Sequence, residues 1–135
     1  MQAGTAIPVK DIPVSKSRRI TTAILIVLTL IFLCTILLTG QIRYTFEENY
    51  FIADATYHEE LMIAYDAIED ITLVDHPIPG TRTIGFASLR LLLGSFQNEE
   101  FGNYLRYTYY NPDCSIILTV NGDTIVISGE TARET

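Results

Sequence analysis

Apolar and polar positions divide the chain into three regimes. Residues 1–19 contain Pro8 and Pro13 and no apolar period, which predicts a tail without regular structure. Residues 20–39, ITTAILIVLTLIFLCTILLT, carry no charged side chain, and thirteen of the twenty are Leu, Ile, Val or Phe. From residue 50 onward the pattern changes to short runs of β-branched and aromatic residues separated by turn signals. That is the pattern of a small β-domain.

The middle regime predicts a transmembrane helix over residues 20–40. Twenty helical residues rise about 30 Å, which matches the hydrocarbon thickness of a bilayer, and lipid obliges the backbone to bond internally. The stretch has no polar face at helical spacing, so a soluble core helix would need a large protein to cover it. A cleaved signal would show a shorter apolar region of about 7–15 residues and a small-residue cleavage site. Leu38-Thr39-Gly40 matches such a site poorly. The five threonines of the stretch are tolerated in lipid if their hydroxyls bond to carbonyls one turn earlier.

Residues 41–49 read as a juxtamembrane connector, with Tyr44 and Phe46 as interfacial anchors and Arg43 able to snorkel toward headgroups. Seven strands are predicted after it, at 50–56, 60–65, 68–74, within 88–96, and at 104–109, 115–120 and 124–128. Leu61, Ala64, Tyr65, Ile68 and Ile71 also fit helical spacing, so a helix over 59–69 is an open alternative. His76-Pro77-Ile78-Pro79-Gly80 must be a loop, because proline lacks the ladder donor and restricts the residue before it. Asn121-Gly122 is the strongest turn signal, both residues tolerating the positive φ of a type I′ turn. Alternation along 104–109 places Leu105, Tyr107 and Tyr109 inward and Tyr104, Arg106 and Thr108 outward. At the end of the chain, Thr131-Ala132-Arg133-Glu134 has the form of a capping box, in which Thr131 accepts from the Glu134 amide and Glu134 returns a bond. A helix start without a body reads either as a truncated closing helix or as a polar tail.

Charge changes the picture by separating the two ends. Residues 1–19 hold Lys10, Lys16, Arg18 and Arg19 against Asp11, a net +3, whereas residues 41–135 hold five arginines against fifteen acids, a net −10. Lys16, Arg18 and Arg19 before the span predict a cytoplasmic N-terminus and an extracytoplasmic C-terminal domain. A domain this acidic is unsuited to nucleic acid or to an anionic leaflet bound by charge. Cys34 lies in the span and Cys114 in the domain, so no intramolecular disulfide is expected.

Thr81-Arg82-Thr83-Ile84-Gly85-Phe86, Leu93-Gly94-Ser95-Phe96 and Gly102-Asn103-Tyr104, in that order and spacing, resemble a family of bacterial pleckstrin-homology-like (PH-like) domains found in membrane proteins. The resemblance covers residues 50–135. It implies a mainly β fold, a partly open seven-stranded barrel of two packed antiparallel sheets, here with a truncated C-terminal helix. Within that motif Arg82 is expected to pair with an acid, while Gly85, Gly94 and Gly102 permit bulges, bends or close backbone approach. Lipid-binding PH domains carry basic residues between their first two strands. That loop here is Tyr57-His58-Glu59-Glu60, so a phosphoinositide site is not carried over.

Chemistry-bearing constellations are sparse. His58-Glu59-Glu60 is the nearest thing to a metal site, but strand neighbours point to opposite faces, and His76 stands in the proline loop without a ligand motif. The carboxylate pairs Glu47-Glu48, Glu69-Asp70 and Glu99-Glu100 are sequence neighbours, which suits exposed turns better than an acid/base pair. Ser88, Ser95 and Ser115 occupy no nucleophile motif, and the glycines form no phosphate loop. Neither an enzyme nor a cofactor is expected. Together with the resemblance, the sequence points to a single-pass bacterial membrane protein whose non-catalytic PH-like domain serves protein interaction or scaffolding, the alternative being a ligand or lipid sensor at the open barrel end.

Overall fold

The computed structural model describes residues 15–135. The first fourteen residues of the predicted tail lie outside them. The chain divides into two compact units, one ending at Cys34 and the other running from Thr35 to Thr135.

The helix α1 spans Lys16–Leu38 and is long and apolar enough to cross a membrane. It begins four residues before the uncharged stretch because Ser15 caps it, its hydroxyl accepting from the Arg18 amide at 3.3 Å. Lys16, Arg18 and Arg19 thus form its first turn rather than part of a tail. The threonine hydroxyls behave as lipid requires: Thr21, Thr22 and Thr29 donate to the carbonyls of Ser17, Arg18 and Leu25 at 3.1, 2.8 and 2.8 Å.

The second unit is two sheets. The strands β1 (Ile42–Phe46), β2 (Tyr50–Ala55) and β3 (Leu61–Ala64) form an antiparallel three-stranded meander. One 3-10 turn, Tyr65–Ala67, leads into β4 (Ile68–Val74), after which come β5 (Thr81–Ala87), β6 (Leu91–Asn98), β7 (Gly102–Tyr109), β8 (Ser115–Val120) and β9 (Asp123–Ile127). These six order as β4-β8-β9-β7-β6-β5. The sheets pack without closing into a barrel.

The described residues form nine strands where the sequence predicts seven. β1 lies in the presumed connector, and its Ile42, Tyr44 and Phe46 pair with Ala55, Ala53 and Phe51. β5 follows directly on the proline loop. Residues 59–69 resolve as strand, one 3-10 turn and strand, so the helical alternative there is not adopted. The pairing is also not wholly antiparallel: β7 and β9 run parallel, with Leu105, Arg106 and Tyr107 opposite Ile125, Val126 and Ile127.

The core lies between the sheets. Phe51, Ala53, Ala55 and Ile63 from the small sheet meet Leu91, Leu93, Tyr107, Tyr109, Leu118 and Ile125 from the large one. Leu91, Leu93 and Ala53 are fully buried, each large aliphatic side chain contributing about 1.5–3 kcal/mol. A second cluster, Ile78, Phe96, Tyr104 and Val126, fills the opposite face of the large sheet. The predicted alternation along β7 is therefore half right. Leu105, Tyr107 and Tyr109 face the main core, but Tyr104, Arg106 and Thr108 are buried as well, at 3, 3 and 0 % exposure. The proline loop folds back over that face, and Ile78 is its plug.

Candidate functional site

Where β1 and β4 face each other without pairing, the two sheets part and leave an open cavity of about 210 Å³. Its floor is Phe51, Leu118 and Ile127, its walls are Tyr44, Ile68 and Ile116, and its rims are Phe46, Tyr65 and Ile71. The rims are wet: Phe46 is 72 % and Ile71 61 % exposed. Aromatic rings line one side in series, with centroids of Phe46 and Phe51 5.8 Å apart and of Phe51 and Tyr65 6.2 Å apart.

The polar edge of this groove is made by the chain after β9. The Tyr44 hydroxyl donates to the Ser128 carbonyl at 2.7 Å, and burial raises its pKa well above the ordinary tyrosine range. Gly129 donates to the Thr135 hydroxyl at 2.8 Å, and the Glu134 carboxylate accepts from the Glu130 amide at 3.2 Å. The expected capping box is thus replaced by a single turn. The Glu134 amide bonds the Thr131 carbonyl at 3.0 Å instead of the hydroxyl, because its carboxylate reaches one residue further back, to Glu130. Among the described residues Glu134 is the one charged side chain lining the groove, and Glu69 and Asp70 stand beside its Ile68–Ile71 wall.

The motif residues lie elsewhere. Gly85 and Gly94 are direct partners on β5 and β6, Gly102 turns the β6–β7 connection with φ +66°, and Phe96 is buried against Tyr104. Arg82 is exposed, opposite Phe96 in the register, and the arginine ion pair among the described residues joins Arg90 to Glu130 at 2.8 Å instead. The register shifts between Arg82 and Ile84, and there Thr83 donates its hydroxyl to the Ser95 carbonyl at 3.1 Å. Asn121 and Gly122 adopt φ +51° and +82° and close the β8–β9 hairpin as a two-residue turn.

His58 lies 3.0 Å from the Tyr107 hydroxyl and edge-on to its ring, and burial followed by the Glu59 charge raises the Tyr107 pKa. His76 contacts Asp75 at the surface. The Ser88 hydroxyl accepts the Arg90 and Leu91 amides, which closes a turn. Among the described residues no three His, Cys, Asp or Glu side chains converge on a point.

The residue that sequence reasoning missed is Arg106. It is 3 % exposed, its Nε donates to Thr108 at 2.8 Å, a terminal nitrogen donates to the Ile78 carbonyl at 2.7 Å, and its guanidinium lies 5.3 Å above Phe96. Desolvation lowers its pKa, and the nearby Tyr104 acts in the opposite direction. The available signal was an apolar residue, Ile78, set between two prolines.

The family model described as "Bacterial PH domain" matches residues 42–134. No curated protein and no solved structure matches the chain.

Proposed function

Because this chain belongs to the bacterial PH domain family, we propose that it is a single-pass membrane protein whose domain captures a protein partner in the groove between its sheets, without catalysis. The occupant is an amphipathic segment with an apolar face and basic flanks. The observation that carries this reading is the groove itself: aromatic and aliphatic side chains along its floor, Glu134 at its edge, and, among the described residues, no basic side chain in its lining. Net charge supports it, since residues 41–135 carry −10 and would attract basic flanks. Size favours a peptide over a free ligand. A volume near 210 Å³ suits a few side chains of a segment laid along the groove, whereas small-molecule pockets run to roughly 300–1,000 Å³. On the charge asymmetry around α1, the domain faces the extracytoplasmic side.

The test places a benzophenone side chain at Phe46 in cells expressing the full chain and maps the crosslinked site by mass spectrometry. Attachment within an amphipathic, basic-flanked segment supports the proposal. Attachment to lipid, or to a segment lacking that chemistry, rejects it.

A further inference from the structure

The residues that follow α1 are bound to the domain rather than trailing from it. Arg90 Nε donates to the Gly40 carbonyl at 2.7 Å, and the Tyr57 and Thr39 hydroxyls lie 3.0 Å apart. Gly40 itself has φ +109°, and a Cβ there would meet Leu91 at 2.8 Å, so the backbone approaches the domain as only glycine allows. Arg90 is held in turn by Glu130 at 2.8 Å and by the Tyr109 ring, 5.5 Å from its guanidinium.

Around this junction the domain exposes apolar and aromatic side chains, Tyr57 with one face of its ring against Phe86 at 5.1 Å between centroids. Leu89, at the tip of the β5–β6 turn, is 66 % exposed, Tyr110 57 % and Tyr57 45 %. Tyr110 shares the junction because its amide donates to the Arg90 carbonyl at 2.8 Å. Gly40 follows the last helical residue, Leu38, by two positions, a reach of about 7 Å at most. The polar layer of a bilayer is itself about 5–8 Å deep on each side, and tyrosines concentrate there because the ring is apolar and the hydroxyl wet.

We propose that Tyr57, Leu89 and Tyr110 form a collar seated in the interfacial layer of the bilayer, with a zwitterionic lipid surface as its partner. This rests on the reading of α1 as a membrane span. The collar holds by apolar and aromatic contact, not by charge: its arginine is already engaged by Gly40 and Glu130, and the domain is acidic. Tethering by the span keeps the three side chains at high local concentration against the lipid, so weak contacts suffice. The collar fixes the opposite end of the domain away from the membrane. β6 runs from Leu91 at the junction to Asn98, about 25 Å, and the Asn121-Gly122 turn lies at that far end.

The experiment uses the full chain in phosphatidylcholine vesicles with an environment-sensitive fluorophore on one cysteine at a time. The positions are the native Cys34 in a Cys114→Ala background, and Leu89→Cys or Asn121→Cys with Cys34 also replaced by Ser. Lipids carrying a nitroxide at mid-chain should quench the probe at 34. Lipids carrying it near the headgroup should remove more than half of the emission at 89 and leave 121 unchanged. If position 34 is not quenched, the span reading fails and the collar with it. If 34 is quenched but 89 behaves as 121 does, the collar is wrong and the span stands. Matching urea midpoints across the labelled variants establish that each is folded.

Discussion

Gly85 and Gly94 face one another across the β5–β6 pair, both in left-handed backbone at φ +130° and +112°, so close that a Cβ on either would lie 2.8 Å from the Cα of the other. Space and conformation both demand glycine here. A Cβ on Gly94 would also meet the Ile84 carbonyl at 2.5 Å, and one on Gly85 would collide with the Leu93 carbonyl. Backbone cannot swing aside as a side chain can. Gly85→Ala or Gly94→Ala should each cost about 3 kcal/mol, combining strain of roughly 1–3 kcal/mol with the clash. Gly102, with φ +66° and nothing within 4 Å of its notional Cβ, should lose only about 1 kcal/mol as Ala. Urea denaturation of the three variants checks the ranking. Equal losses at Gly94 and Gly102 would show that close approach plays no part.

Arg106 holds the 76–80 loop to the back of the large sheet. Replacing it with Leu keeps the bulk but leaves the Ile78 carbonyl and the Thr108 hydroxyl without their donors, a loss of about 3–6 kcal/mol, since each of the two bonds to a charged group is worth about 1.5–3 kcal/mol net. Hydrogen exchange separates local from global effects. Amides in 76–80 should lose protection first, with β2 in the other sheet following only at the global unfolding limit. Uniform loss of protection across both sheets would contradict the loop-anchoring role.

The uncharged stretch and the Asn121-Gly122 turn were legible because their causes are local: a bilayer-length apolar run, and two residues that accept positive φ. The missed features are those in which distant segments decide. β1 has the sequence of a connector as much as of a strand: Ile42, Tyr44 and Phe46 alternate, but its aromatic and charged residues fit an interfacial segment equally well. β7 defied the inside-outside rule because Ile78, nearly thirty positions before Arg106, covers its second face, and no periodicity within β7 reports that cover. The sequence predicts an opening only at a barrel end, whereas the sheets form no closed barrel and the groove lies along their edges. Its position between β1 and β4 depends on β1, whose pairing with β2 no local signal reports.

Tyr44 links stability to alkaline pH. Its hydroxyl is buried and donates to the Ser128 carbonyl, and its pKa is raised, chiefly by desolvation. Unfolding frees it to ionise near the ordinary tyrosine value of about 10. Above that pH the unfolded chain holds fewer protons than the folded one, so stability falls as pH rises, by up to about 1.4 kcal/mol per pH unit for each such tyrosine. Tyr107, raised for the same leading reason, adds to the slope. Tyr44→Phe should be about 1 kcal/mol less stable at pH 7, from the lost hydrogen bond, yet decline less steeply between about pH 10 and 11. Urea unfolding at several pH values tests this; parallel curves for the two proteins would exclude Tyr44 as a source of the alkaline loss.

The side of the membrane on which the groove is displayed decides which partners can reach it. Lys16, Arg18 and Arg19 occupy the first turn of α1, where basic residues oppose the helix dipole, and the proposed cytoplasmic N-terminus would give them the role of holding that end inside. Asn121, exposed at the hairpin tip far from Gly40, is the place to read the outcome. Asn121→Cys, in a background with Cys34 and Cys114 replaced, should react with a membrane-impermeant maleimide in intact cells. Replacing Lys16, Arg18 and Arg19 with Gln should then lower that labelling, because part of the population inserts in the opposite sense once the charge difference across the span is reduced. A native-charge protein that labels only after permeabilisation would put the domain in the cytoplasm. The groove would then be confined to cytoplasmic partners, and an amphipathic segment of an extracytoplasmic protein would be removed from consideration.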